Sequence, residues 1–297
     1  MFDVAIIGAG PAGMSAAIYS RRAGLSVAVF EGEMCGGQMI LTPEVENYPG
    51  FTHISGAELS FSMSEQMKSL GAKLIESRVQ AVKANEHYTV CTSDGDFKSK
   101  TLIIANGAKR RKLGIAGEDA FSGRGVSYCA VCDGMFFKGK TVCVVGGGNT
   151  ALEDAVYLAG MCEKVYLIHR RDEFRAKGML VEKVKSTANI EILYSAVPTE
   201  IFGDTRVKAL RVKDEGGERD IETSAVFVAI GLMPENGIFA SIVALTDGYI
   251  AAGDDTHTSR EGVFAAGDTR TKSLRQIITA AADGATAATE AEKYLHG

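Results

Sequence analysis

The chain's 297 residues are enough for two domains of ordinary size, and 46% hydrophobic content with 34 glycines fits a turn-rich α/β protein and excludes a disordered one. A formal net charge of −5 argues against nucleic acid or an anionic membrane as the main partner. No uncharged run reaches membrane-spanning length, and strand-like residues from Phe2 leave no room for a secretory leader, so the expected compartment is the cytoplasm.

The first predicted unit is a strand over Phe2 to Ile7, a turn Gly8-Ala9-Gly10-Pro11-Ala12-Gly13, a helix over Pro11 to Ala23 and a strand over Ser26 to Phe30. It ends in an acid, Glu31, eighteen residues after Gly13. This is a βαβ dinucleotide fingerprint. Its small residues admit a pyrophosphate to the backbone, the helix N-terminus offers unpaired N–H groups, and Glu31 can accept from a ribose 2′-OH. The alternative reading is a merely tight strand–helix turn.

Gly32 to Gly50 shows no sustained period and reads as a cofactor-covering loop. A helical pattern returns between Glu58 and Leu70, and Lys73 to Ile104 alternates in short runs, as a small antiparallel sheet does. Turn-rich crossings at Lys109 to Gly117 and Gly231 to Gly237 bracket a second βαβ plan. That plan comprises a strand over Thr141 to Val145, the turn Gly146-Gly147-Gly148-Asn149-Thr150-Ala151, a helix to about Gly160 and a strand over Val165 to Ile168. Where the first unit has an acid, this one has His169, Arg170 and Arg171, followed by Arg175. Cations there suit a 2′-phosphate, so NADPH is favoured over NADH, the alternative being a solvated basic loop. A strand-rich stretch over Ile190 to Ile230 makes the halves look like internal duplicates. The tail has a short apolar strand ending in Gly267-Asp268, placed to set a carboxylate beside a cofactor's polyol, then a helix from about Gln276.

Six cysteines stand at 35, 91, 129, 132, 143 and 162, without the spacing of a secreted disulfide scaffold. Cys129-Ala130-Val131-Cys132 supplies two ligands where structural zinc needs four, so the pair reads as redox-active and no metal is expected. Cys91 and Cys143 fall in strands and are expected to be inert core thiols. Two dinucleotide sites plus one dithiol suggest an electron relay.

Taken together, the Gly8–Gly13 turn, Gly36-Gly37-Gln38, Glu46 to Gly50, Cys129-Ala130-Val131-Cys132-Asp133, the Gly146–Ala151 turn, His169 to Arg175, and Phe264 to Asp268 with Arg275-Gln276 resemble the low-molecular-weight bacterial thioredoxin reductases. The resemblance implies two Rossmann-like, three-layer ββα domains: an FAD-binding domain over 1–111 and 239–297, interrupted by an NADPH-binding domain over 112–238 that carries the dithiol. Electrons would pass from NADPH to FAD to Cys129–Cys132 to thioredoxin, with rotation of the NADPH domain between half-reactions. Cys132 would face the flavin, Cys129 attack the partner and Asp133 carry the proton.

By the same likeness Gly8, Gly10, Pro11, Ala12, Gly13, Glu31, Gly36, Gly37, Gln38, Asn47, Ala105, Gly107, Gly267, Asp268, Arg275 and Gln276 would hold FAD. Gly148, Asn149, Thr150, His169, Arg170, Arg171 and Arg175 would hold NADPH, and the chain would form a homodimer. Arg110, Arg111 and Arg124 are candidates for the docking surface. Asn106 stands where the family commonly has threonine, and Cys35 beside Gly36 is unusual. Two other readings remain: a ferredoxin-driven or oxygen-reducing flavoprotein of the same fold, which predicts a degraded nucleotide site, and a nucleotide-binding sensor, which needs no dithiol.

Overall fold

A computed structural model describes residues 1–42, 44–174, 176 and 178–297. The chain forms two compact units, Met1–Lys109 with Met233–Gly297, and Arg110–Leu232. Against the expected bounds of 111/112 and 238/239, residues 110–111 group with the second unit and residues 233–238 with the first. Asn236 there donates to the carbonyls of Gly248 and Thr269, each at 3.0 Å, and Phe239 is fully buried in that unit's core.

The first unit opens with β1 (Phe2–Ile7), α1 (Pro11–Arg22), β2 (Val27–Phe30), α2 (Gly56–Ser69), β3 (Lys73–Ile75), β4 (Val79–Ala84), β5 (Tyr88–Thr92) and β6 (Gly95–Ile104). Its sheet runs β3-β2-β1-β6-β5-β4, and the tail strand Val263–Ala265 also pairs with β6. The expected small antiparallel sheet over Lys73 to Ile104 is only partly correct. β4, β5 and the start of β6 are antiparallel, but β3 lies parallel to β2, and Leu102 to Ile104 lie parallel to both β1 and the tail strand. Strand β6 is long enough to pair antiparallel at its start and parallel at its end within one mixed sheet, a dual role that alternation alone does not reveal.

Continuous burial of Val4, Ala5 and Ile6 is the mark of a parallel strand covered on both faces. Alternate side chains divide between two cores. Val4, Ile6, Val27, Val29 and Ile103 meet the helical layer with Met14, Met63 and Ala287, whereas Ala5, Ile7, Phe30, Leu102 and Ile104 meet Val82, Val90, Phe239 and Ile250.

The second unit repeats this three-layer plan. It contains α3 (Ala130–Asp133), α4 (Asn149–Ala159) and α5 (Met179–Ser186). A five-stranded parallel sheet takes the order Ile190–Leu193, Lys164–Ile168, Thr141–Val145, Ala225–Val228, Val126–Ser127. A meander of Val197–Gly203, Val207–Asp214 and Gly217–Glu222 packs on one face through Ile201, Leu210 and Val212; α4 packs on the other through Leu152, Ala155 and Leu158. The C-terminal helix α6 (Ile277–His296) returns to the first unit. Two Rossmann-like folds are therefore present, one inserted in the other's sequence.

Cys143 is fully buried and its thiol is pushed up to about 12 by desolvation. Cys91 departs from expectation. It lies in β5 but is only half-buried, because that strand's outer face is not covered. Among the described residues no helix is long and apolar enough to cross a membrane, and no cluster of three or more His, Cys, Asp or Glu side chains is arranged to hold a metal ion.

Candidate functional site

Cys129 and Cys132 are joined as a disulfide with Cα atoms 5.3 Å apart, Cys129 capping the single turn α3. The Cys132 amide donates to Cys129 Sγ at 3.2 Å. An N–H aimed at sulfur favours the thiolate once the bond is reduced. Asp133 closes the turn and its carboxyl is raised above the usual range by burial, opposed by a 2.5 Å hydrogen bond from Ser127 Oγ and by the Arg110 cation. Such a carboxyl exchanges protons nearer neutrality than an exposed one.

Sequence reasoning missed Ser127 and also Glu118, which is 2% exposed. Glu118 accepts from the amides of Leu113 and Gly114 at 2.9 and 2.7 Å and from Tyr128 Oη at 2.9 Å, tying the residue before Cys129 to the segment that enters the unit. Arg110 stacks over Tyr128, Arg124 bonds the Ala120 carbonyl, and Arg111 is exposed.

In the first unit the predicted FAD residues converge at the C-terminal ends of β1 and β6. Gly8 has φ +101°, and a Cβ there would lie 2.5 Å from the Ala105 carbonyl oxygen. A Cβ on Gly13 would lie 1.8 Å from the Gly8 oxygen, and one on Gly267 would meet the Ala12 methyl at 2.9 Å. Glu31 lies beside the turn and accepts from the amides of Ala9 and Glu33 at 2.8 and 2.9 Å. The Gly36 amide donates to the Ala9 carbonyl at 2.7 Å, and Gly37 lies against Gly10. Asn47 Nδ2 donates to Gln276 Oε1 at 3.2 Å, while Gln38 lies in a short 3-10 helix, Gly37–Leu41, and Gly107 in the irregular segment after β6. Arg275 instead turns back to the protein, its guanidinium 4.5 Å from the Tyr249 ring centre.

Three buried ionic groups support the Gly267–Asp268 turn without a sequence motif to announce them. Asp283 of α6 accepts from the Gly267 amide and Arg270 Nε, each at 2.9 Å, and from Lys272 Nζ at 2.8 Å. Asn106 also has a task in this unit. Its Oδ1 accepts from Thr269 Oγ1 at 2.8 Å, and its Nδ2 donates to Asn236 Oδ1 at 3.2 Å.

The second turn has the same outline. A Cβ on Gly147 would lie 2.2 Å from the His169 ring, which is buried and hydrogen-bonds the Glu173 carbonyl through Nε2 at 3.0 Å. Arg170, Arg171, Asn149 and Thr150 are exposed; Arg175 lies outside the described residues.

Helix starts give the clearest test of fit. Helix α2 begins with a full Ser55–Glu58 capping box. Helices α1 and α4 begin at Gly10 and Gly148, with no side-chain cap, no acid in the first turn, and open space where a Cβ would stand. Uncapped, acid-free helix starts behind glycine turns suit the pyrophosphates of two dinucleotides. Cys35, half-buried with its thiol raised by burial, has its carbonyl bonded by Ser60 Oγ at 2.6 Å.

The model of the pyridine nucleotide-disulphide oxidoreductase family matches residues 2–284. Curated relatives named thioredoxin reductase include those of Listeria innocua, 44% identical across 99% of this chain and 94% of that protein, and Bacillus subtilis, 43% identical across 99% and 95%. The crystal structure of thioredoxin reductase from Streptococcus pyogenes superposes with a TM-score of 0.95 at 41% identity, covering 100% of this chain and 98% of that one.

Proposed function

We propose a function from the premise that this chain belongs to the pyridine nucleotide-disulphide oxidoreductase family, among the thioredoxin reductases it matches along nearly its whole length. It is an NADPH-dependent thioredoxin-disulfide reductase using FAD. The observation that carries this reading is the Cys129–Cys132 disulfide, beside a half-buried acid, in the same unit as the second uncapped glycine turn. FAD, when bound, supplies the two-electron link between the nicotinamide and the disulfide.

Around FAD, Gly8, Gly10, Pro11, Ala12 and Gly13 admit the pyrophosphate to the start of α1, and Glu31 accepts from the adenosine ribose. Gly36, Gly37, Gln38, Asn47, Ala105, Gly107, Gly267, Asp268 and Gln276 would line the rest, while Arg275, expected among them, stacks on Tyr249. Gly148, Asn149 and Thr150 would admit the NADPH pyrophosphate and Arg170, Arg171 and Arg175 would read the 2′-phosphate, with the buried His169 ring packed behind them under Gly147.

In the outgoing half-reaction the Cys129 thiolate attacks one sulfur of the thioredoxin disulfide, releasing the other as a thiolate. Cys132 then attacks Cys129 Sγ, re-forms the disulfide and releases the second thioredoxin sulfur. Two protons follow the electron pair, and Asp133 passes a proton from thiol to leaving thiolate. FAD held by the first unit would have to exchange electrons with the nicotinamide and with the dithiol, both carried by the second unit, and the two could not serve it at once. Rotation of the inserted unit about the crossings near 109/110 and 232/233 resolves that conflict. A homodimer and a cytoplasmic location complete the reading, and both rest on the family resemblance alone.

The test is anaerobic addition of stoichiometric NADPH to the FAD-loaded protein, followed by oxidised thioredoxin. Bleaching of the flavin and reoxidation by thioredoxin are expected. Cys129→Ser and Cys132→Ser should bleach but fail to pass electrons on. Failure of NADPH to bleach the wild-type flavin, with success by reduced ferredoxin, overturns the donor assignment.

A further inference from the structure

We propose that Ser127 is a positioning residue for Asp133, orienting its carboxylate and setting the pH at which it exchanges a proton with the dithiol. This rests on the reading of Asp133 as proton carrier. Ser127 is 5% exposed and lies on the strand Val126–Ser127, held parallel to Val226 and Phe227 at the sheet edge. Its Oγ accepts from the Cys129 amide at 3.1 Å and donates to Asp133 Oδ2 at 2.5 Å; the Cys129 carbonyl lies farther off, at 3.4 Å. The Asp133 amide in turn donates to the Cys129 carbonyl at 3.1 Å.

These contacts close a ring through the backbone of the attacking cysteine and the side chain of the acid. A hydroxyl has one proton, and with the Cys129 amide pointing at its oxygen that proton is best spent on the nearer acceptor, the carboxylate. The ring therefore fixes the Asp133 rotamer relative to Cys129 and favours the ionised carboxyl against burial. The charged group that acts on the acid is Arg110, whose cation works in the same direction; the two cysteines adjoin it in the turn, and Tyr157 of α4 packs on the next residue, Gly134.

The step concerned is the proton transfer that accompanies exchange. The carboxylate accepts the proton of a dithiol thiol as that sulfur becomes the attacking thiolate, and returns it to the departing thioredoxin thiolate, so charge and protons balance. Removing the Ser127 hydroxyl withdraws a donor from the ionised form and raises the pH at which Asp133 becomes a base.

The experiment uses full-length FAD-loaded enzyme, reduced anaerobically with NADPH and mixed with oxidised thioredoxin in a stopped-flow instrument across the acid and neutral range. Ser127→Ala should shift the acid limb of the exchange rate upward by about one to two pH units, the size expected for losing a hydrogen bond to a charged group. Ser127→Thr should restore it, and adding Ser127→Ala to Asp133→Asn should move nothing further. A uniform loss of rate at every pH, with an unshifted limb, overturns the proposal, as does a shift that survives in the Asp133→Asn background. An unaltered profile for Asp133→Asn alone strikes instead at the proton-carrier reading. If Ser127→Ala does not hold FAD, Ser127→Cys, with its weaker donor, should give a smaller upward shift, and an unshifted limb in that variant overturns the proposal.

Discussion

The two glycine turns perform one steric task with different residues, and the difference follows from what each turn touches. In the first, the Gly8 carbonyl occupies the place where a Gly13 side chain would stand, 1.8 Å from the would-be Cβ. In the second, position 151 carries a methyl, and the space for it comes from Gly146, whose own Cβ would lie 2.6 Å from that methyl. The next residue differs likewise. Ala9 keeps its methyl because its neighbour Glu31 presents a narrow carboxylate to its amide, whereas Gly147 must lack one because the His169 ring packs across it. A fingerprint is thus a record of local contacts, and the acid or imidazole at the end of the unit decides which of its positions must be glycine.

The largest break in this comparison is Gly13→Ala. Its methyl would strike backbone, which cannot rotate away, so α1 must shift off the turn that faces the pyrophosphate. The purified variant should retain less than about a tenth of the wild-type FAD, a loss of more than about 1.4 kcal/mol in binding. Absorbance at equal protein concentration measures this. Full FAD content would show that the first turn is as tolerant as the second.

A smaller effect separates the cations of the second unit from the carboxylate of the first. Replacing both Arg170 and Arg171 by alanine should raise KM for NADPH by about 10- to 100-fold, with little change for NADH, because charged hydrogen bonds of about 1.5–3 kcal/mol are lost only with the 2′-phosphate. Steady-state kinetics with both nucleotides decide it, and parallel losses for the two would assign the arginines to another task.

How much of this was legible beforehand depended on whether a contact is local in sequence. The βαβ units, the disulfide pair and Glu31 were visible because each is confined to a short stretch with its own periodicity or spacing. The relation of Gly267 to Ala12, and of Asp283 to Gly267 and Arg270, was not. Those partners come together only when α6 returns to α1, where a Cβ on Gly284 would lie 2.0 Å from the Ala12 carbonyl. Ser127 was hidden for another reason: a serine two residues before a cysteine has no distinctive pattern, and only the turn of α3 brings Asp133 back to it. His169 illustrates a third limit, since a charge run shows composition but not that its first member is buried beneath the turn.

A buried acid of the first unit and a half-buried acid of the second provide a finer contrast, expected on the order of 2 kcal/mol. Asp283 is held below the ordinary carboxylate range by Arg270 and Lys272 despite burial, so its contribution is present above the unfolded value and is lost as pH falls. Asp154 of α4 is pushed up to about 7, first by burial and then by Glu153. The sign is opposite: its native form holds a proton more tightly than the unfolded chain, so stability is greatest below the unfolded value and declines as pH rises toward about 7. Asp154→Asn should therefore stabilise the protein at mildly alkaline pH and leave it unchanged near pH ~4. Denaturant melts at the two pH values test this, and an equal gain at both would refute titration as the cause.

The smallest expected effect sharpens the opening comparison. Ala151→Gly gives the second turn the third glycine of the first, removing a methyl that is fully buried against Gly146. Two costs follow, the lost contact and the weaker helix propensity of glycine near the start of α4, together about 1 to 2 kcal/mol of stability. NADPH affinity should scarcely change, because the turn's open face at Gly148 lies away from that methyl and the helix start stays uncapped. A thermal melt with a parallel NADPH titration separates the two. Lowered stability at constant affinity would make residue 151 a packing position, whereas a large loss of affinity would mean that the methyl itself sets the path of the phosphate-facing backbone.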